Sequence, residues 1–186
     1  MQQWKTLSKK LVLADGKYLT VEHHEIELPN GRIISPWPWL ITPDYVNVAV
    51  VTQEKTFLCF RQTKYGVEGT TLAPVGGYLE PGEDPLSAAR RELLEESGYE
   101  ASDWKALGRY CVDGNRGAGT AYLFLAENAL KTAEPSSDDL EEQQLLHLTY
   151  AEVKAALAAG EFKVLAWATV ISLSLLYLDR RFIDGE

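Results

Sequence analysis

Cysteine is scarce in this 186-residue chain: only Cys59 and Cys111 occur, each inside an apolar strand-like run, with neither a CxxC pair nor metal-ligand spacing. That excludes a disulfide framework and a thiolate zinc site. Histidine is almost as sparse. His23, His24 and His147 stand at no ligand spacing from a cysteine or a second motif and read as strand or surface histidines. Positive charge is in deficit, with 18 Lys and Arg against 27 Asp and Glu and a net charge of −9. A general nucleic-acid binder needs clustered Lys and Arg for its phosphate contacts and is excluded. A phosphate-bearing substrate is not, because divalent cations can sit between carboxylates and phosphates. Long apolar runs are missing as well. Val164 to Leu178 is interrupted by Thr169, Ser172 and Ser174, and it falls short of the roughly twenty residues that span a bilayer. It reads as a buried C-terminal helix, with no membrane partner. No secretory apolar region precedes Trp4, and neither an internal repeat nor an inter-domain linker is visible, so a reduced cytoplasmic setting is expected.

What is present points to one folded domain. The chain is 46% hydrophobic and 24% charged, and a chain of this size buries about 70% of its unfolded surface. Residues 10–52 read as strands joined by tight turns at Asp15-Gly16 and Asn30-Gly31, where Asn and Gly supply positive φ. Residues 1–42 thus form an N-terminal β extension to a main domain at 43–186. Tyr45–Val51 and Thr56–Phe60 are apolar enough for strands buried on both faces, at the centre of the sheet. Further strands are expected at Trp104–Val112, Thr120–Ala126 and Leu145–Leu148, and helices at about Tyr150–Ala159 and Val164–Leu178. The glycine-rich Asp113–Gly119 fits a hairpin loop or a substrate-facing loop. It is no P-loop or dinucleotide fingerprint, since no GK[ST] follows and the glycine order differs from GxGxxG.

The clearest local signal is a helix over 85–97. Asp84 is its N-cap, Pro85 its first residue and Ser97-Gly98 its stop. Leu86, Ala89, Leu93 and Leu94 make its apolar stripe, and Glu92, Glu95 and Glu96 lie at i, i+3 and i+4 on another face. Without a cation such a face repels itself. A hard divalent cation held by such carboxylates could neutralise the charge on the oxygens of a phosphate-bearing substrate. An ordinary solvated helix face, stitched to Arg90 and Arg91, is the plain alternative.

Gly77, Glu83, Arg91, Glu92, Glu95, Glu96 and Gly98 stand at the offsets G-x5-E-x7-R-E-U-x-E-E-x-G-U, in which U is bulky and apolar. The segment resembles the Nudix box, with Tyr99 in the last position in place of an aliphatic residue. The resemblance implies an α/β fold, an α/β/α sandwich around a central mixed sheet carrying the N-terminal β extension. It also implies Mg²⁺, or Mn²⁺, held by Glu92, Glu95 and Glu96 with a backbone carbonyl of Gly76 or Gly77. Glu83 and Arg91 orient the glutamates in that scheme.

A second likeness is to the ADP-ribose pyrophosphatase branch, through Arg61-Gln62-Thr63-Lys64 and Leu72-Ala73-Pro74-Val75-Gly76-Gly77. It implies a homodimer and a catalytic glutamate from a loop before the last strand, here Glu141 or Glu142. A solubilising acidic loop is the alternative. The branch clamps its nucleobase between two aromatics, for which Tyr18 and Trp37 stand in comparable places; packing of Trp37 and Trp39 at a dimer interface fits equally well. Arg61, Lys64 and Arg116 are the candidate phosphate or ribose contacts. Lys64 replaces the branch's Arg, and Asp113–Arg116 stands where ADP-ribose hydrolases commonly carry a proline. The expected substrate is therefore ADP-ribose or a related nucleoside diphosphate sugar. Nucleoside triphosphates, dinucleoside polyphosphates or a non-catalytic nucleotide-sugar sensor are the alternatives.

Overall fold

The computed structural model describes residues 1–136 and 142–184, apart from the side chains of 181–184. In chain order its elements are β1 (Lys5–Asp15), β2 (Leu19–Glu27), β3 (Ile33–Ile41), β4 (Tyr45–Thr52), β5 (Phe57–Lys64), β6 (Val67–Ala73), α1 (Pro85–Ser97), β7 (Tyr99–Glu100), β8 (Asp103–Asp113), β9 (Gly117–Lys131), β10 (Gln143–Leu148), α2 (Tyr150–Ala158) and α3 (Leu165–Asp184). They divide into two compact units. One comprises Met1–Asp44 with Tyr110–Ala121, the other Tyr45–Arg109 with Tyr122–Glu186.

The first unit is a β meander. β1 pairs antiparallel with β2 from Lys5↔Glu27 to Asp15↔Leu19, and β2 pairs antiparallel with β3. Both expected turns form: Asp15-Gly16 joins the first pair, and at the second the Gly31 N–H donates to Leu28 O at 2.9 Å. β3 meets the start of β9 in parallel at Leu40↔Gly117. β1 is exposed along its whole length, including Leu7, Leu11, Val12 and Leu13.

In the second unit β4 lies at the core, as its unbroken apolar run demands. Val46, Val48 and Val50 pack with Ala88, Ala89 and Leu93 of α1 and with Phe124 of β9. α3 packs against β4 too, burying Val170, Ile171 and Leu175. β5 pairs antiparallel with β10 along Phe57–Gln62, with β4 near its start and with β6 toward its end. The result is the expected mixed sheet with helices. No described helix is long and apolar enough to cross a membrane.

α1 keeps the bounds that its caps dictate. Asp84 Oδ2 accepts from the Ser87 N–H at 3.0 Å, and Gly98, at φ 74°, donates its N–H to Leu94 O at 2.8 Å. Elsewhere the chain departs from expectation. β9 starts inside the glycine-rich segment and runs on to Lys131, so that segment is a hairpin turn between β8 and β9. β6 and the two-residue β7 carry little apolar alternation and are defined by their partners β5 and β9. α3 starts at Leu165 and continues past the apolar run to Asp184.

Candidate active site

The site is built where an irregular segment after β6 runs beside β4 and feeds into α1. The Val46 N–H donates to Gly77 O at 2.9 Å and the Val48 N–H to Val75 O at 2.8 Å. These bonds turn the Gly76 peptide away from β4, and its N–H is taken by Glu96 Oε2 at 3.0 Å. Close approach explains both glycines. A Cβ on Gly77 would lie 2.2 Å from Glu92 Oε1, and one on Gly76 would lie 2.4 Å from Val46 O and 2.3 Å from Asn47 Nδ2.

Arg91 is the hub of the cluster. Its Nε and Nη2 donate to Glu83 Oε1 and Oε2 at 2.9 and 3.0 Å, its Nη1 to Glu92 Oε1 at 2.8 Å and Glu95 Oε2 at 3.0 Å, and Nη2 also to Tyr78 O at 3.2 Å. A guanidinium has five N–H donors in a fixed plane, and here each has an acceptor. The Glu83 hydrogen bonds, joined by those of Glu92 and Glu95, hold Arg91 firmly in its charged form. In return the Arg91 hydrogen bonds pull the Glu83 carboxyl below the usual carboxylate range, helped by the Glu80 N–H at 2.9 Å and opposed by desolvation. Glu83 and Glu92 side chains are 15% and 13% exposed, whereas Glu95 is 45% exposed and faces solvent more openly.

The expected box residues are therefore brought together: Glu83, Arg91, Glu92 and Glu95 in one network, and Glu96 on the Gly76 peptide. Among the described residues no three His, Cys, Asp or Glu side chains converge as a ready metal cage. Glu92 and Glu95 turn toward Arg91 instead. The donor chemistry still fits a hard divalent cation: all oxygen, with more carboxylate than guanidinium charge. Asn47, opposite Gly76, is buried, and its Oδ1 has no hydrogen-bond partner.

The other expected residues are placed as follows. Arg61, on β5, donates from Nη2 to Glu161 Oε2 at 2.7 Å, a partner that the sequence did not announce. Lys64 ends β5. Glu142 is exposed, one residue before β10, and Glu141 lies outside the described residues. The chain that leads toward them is tied to the end of α1, through Thr132 and Ala133 N–H to Gly98 O and Ser136 N–H to Glu95 O at 2.9 Å.

In the first unit a cleft of about 280 Å³ is lined by Trp4, Thr6, His24, Ile26, Trp37, Trp39, Gly114 and Asn115. Trp37 donates its indole N–H to Asn115 O at 2.7 Å and meets Trp4 edge to face at 5.6 Å. His24 stacks on Trp39 at 5.4 Å and contacts Glu22 Oε2 through Nε2 at 2.7 Å. Arg116 sits in the β8–β9 turn, with Nη1 3.7 Å from Asp113 Oδ2. Tyr18 is 55% exposed, with Lys17 Nζ 5.0 Å from its ring centroid, and does not line this cleft. Sequence reading missed Trp4 and His24 here. An aromatic so near the chain start gave no periodic signal, and only the β1–β2–β3 register brings it to Trp37.

The NUDIX domain model matches residues 42–168, and the nucleoside diphosphate sugar hydrolase N-terminal domain matches residues 4–40. An ADP-ribose pyrophosphatase of Bacillus subtilis (strain 168) is 29% identical over 157 residues, 84% of this chain and 83% of the relative. A methanol dehydrogenase activator of Bacillus methanolicus is 28% identical over 176 residues, 94% and 93% of the two chains. The crystal structure of an ADP compounds hydrolase superposes with a TM-score of 0.82 over 97% of both chains at 21% identity, a likeness of fold.

Proposed function

The chain belongs to the Nudix hydrolase family, and from that premise we propose that it is a Mg²⁺-dependent pyrophosphohydrolase of a nucleoside diphosphate sugar, with ADP-ribose as the first candidate. The products are a nucleoside monophosphate and a sugar phosphate. The observation that carries this reading is the Arg91 hub, which fixes Glu92 and Glu95 on one face of α1 while Gly76 fixes Glu96. The N-terminal match and the ADP-ribose pyrophosphatase relative support the substrate class.

In the reaction a water oxygen bonds one phosphorus, the bridging P–O bond breaks, and the displaced oxygen leaves on the other phosphate. When bound, the divalent cation neutralises charge on the phosphate oxygens and lowers the pKa of water. The chain's part is to hold carboxylate oxygens for that cation and to keep them oriented. Arg91 and Glu83 do the second: a planar guanidinium locked by a two-point carboxylate cannot swing, so Glu92 and Glu95 keep one geometry. Glu142, or Glu141 beside it in sequence, takes the proton of the attacking water. Arg61, Lys64 and Arg116 are the cations that would hold phosphate or ribose, and Arg61 must exchange Glu161 for that role.

The tryptophan cleft supports a nucleobase clamp at Trp37, with Tyr18 as the other aromatic expected from sequence. The exposed apolar side chains of β1 support a homodimer formed through the first unit. Free Cys59 and Cys111 are in keeping with a cytoplasmic protein.

The test is a substrate panel of ADP-ribose, ADP-glucose, UDP-glucose, GDP-mannose, dinucleotides and triphosphates in Mg²⁺, with products resolved and Glu96→Gln run alongside. Cleavage of a diphosphate-linked sugar to a monophosphate, abolished in Glu96→Gln, is expected. Turnover confined to triphosphates or dinucleotides would replace the substrate class, and stoichiometric binding without products would favour a sensor.

A further inference from the structure

Asn47 is the one polar residue in the Val46–Val51 stretch of β4, whose other side chains are apolar and buried. It is only 4% exposed, and its Oδ1 is buried with no hydrogen-bond partner. An unmet amide oxygen in a core costs stability that valine or leucine at the same place would not. Such groups call for an explanation in an absent water, ion or ligand.

The register supplies one. Bridges at Tyr45↔Tyr78 and Val48↔Val75 place Asn47 directly opposite Gly76. The amide leans across that glycine, within 2.3 Å of where a Cβ would stand. The same peptide unit gives its N–H to Glu96 Oε2 at 3.0 Å. Asn47 thus presses on one side of the peptide whose other side carries a carboxylate of the proposed cation site. Exchanging the two ends of the amide needs only rotation about its last torsion, which is soft for asparagine.

Resting on the metal reading above, we infer that Asn47 is a positioning residue of the divalent-cation site. Its amide holds the Gly76 peptide in place for Glu96, and that support is why a polar side chain with an unmet acceptor stands in an apolar strand. The residue is then destabilising in the cation-free protein and useful in the loaded one.

The experiment measures Mn²⁺ binding to the full chain by calorimetry, and thermal unfolding with and without Mn²⁺, for the unmodified protein, Asn47→Leu, Asn47→Ala and Glu96→Gln. The expected result is that Asn47→Leu unfolds at the same or a higher temperature without metal, yet binds Mn²⁺ about 10- to 100-fold more weakly, the usual cost of losing support behind a ligand. Asn47→Ala serves if the leucine does not fit, and the same weakening is expected in it. Mn²⁺ affinity unchanged in the variants that fold would overturn the inference and leave Asn47 a sealed structural polar group. No Mn²⁺ binding by the unmodified protein would overturn it together with the metal reading, whereas binding lost in Glu96→Gln but kept in the Asn47 variants overturns this inference alone.

Discussion

Arg91 and Glu83 meet side to side, Nε 2.9 Å from Oε1 and Nη2 3.0 Å from Oε2, although Glu83 lies in the loop and Arg91 two turns into α1. The pair ties the loop to the helix, and the remaining Arg91 donors then dictate where Glu92 and Glu95 point. The orientation of Glu92 and Glu95 depends on the planar fork.

Replacing Arg91 by lysine keeps the charge and loses the fork. We expect kcat to fall by about 10- to 100-fold, with a stability loss of about 1–2 kcal/mol from two broken charge-assisted hydrogen bonds. Steady-state kinetics and urea unfolding check the two. Retained kcat would mean that the glutamates orient without the hub.

The same pair sets an acid limb. Because the folded state holds the Glu83 carboxyl below its ordinary value, its contribution is fully present above the unfolded pKa of about 4.3 and is lost as pH falls through the lower folded value. Urea midpoints measured from neutral to strongly acid pH should drop over that window. Glu83→Gln should begin lower at neutral pH and show a shallower decline, and parallel curves would refute the assignment.

Gly76 and Gly77 should respond differently to alanine. At Gly77 the new methyl meets the carboxylate end of the Glu92 side chain, 2.2 Å away, which can be pushed off Arg91 without moving backbone, so folding survives while the carboxylate is displaced and activity falls. At Gly76 it meets the Val46 carbonyl at 2.4 Å. That overpacking against backbone should cost about 1–3 kcal/mol. Thermal unfolding of both variants beside their kcat values separates the two, and equal melting temperatures would contradict the geometry.

Trp37→Ala should raise KM with kcat little changed, because stacking on a nucleobase binds ground and transition states alike. The expected loss is about 1–3 kcal/mol, read from KM for a nucleotide sugar. A fall in kcat at constant KM would move Trp37 out of the binding role and into support of the β8–β9 turn through Asn115.

Tyr150 bonds Asp179, and burial followed by that carboxylate pushes its hydroxyl up to about 12. The stability it contributes is present below the unfolded value of about 10 and disappears as pH rises toward 12. Unfolding midpoints between neutral and strongly alkaline pH should fall less steeply in Tyr150→Phe. An unchanged alkaline slope would count against the link.

Much of the site was legible before any fold. The caps at Asp84 and Gly98 and the spacing of Glu92, Glu95 and Glu96 are local features, governed by helix geometry within one short segment, so sequence alone could place the three glutamates on one helix face, with Glu83 just ahead of the cap. β4 and β5 were legible for a similar reason, since an apolar run of strand length has nowhere to go but a core. Their extents were less so: β5 continues through Arg61 to Lys64, and β9 reaches Lys131, because partner strands extend ladders past the point where side-chain pattern fades.

What tertiary structure decided was partnership across long sequence distances. Glu161 meets Arg61 across 100 positions and Asn115 meets Trp37 across 78, contacts that depend on which strands pair and on no local preference. Asn47 shows both sides of the division. A polar residue in an apolar strand was visible in the chain, but that it faces Gly76 with an unmet oxygen follows only from the register between β4 and the loop. Local propensity therefore determined the helix and its carboxylate face, and long-range pairing decided what each charged or aromatic side chain finds opposite it.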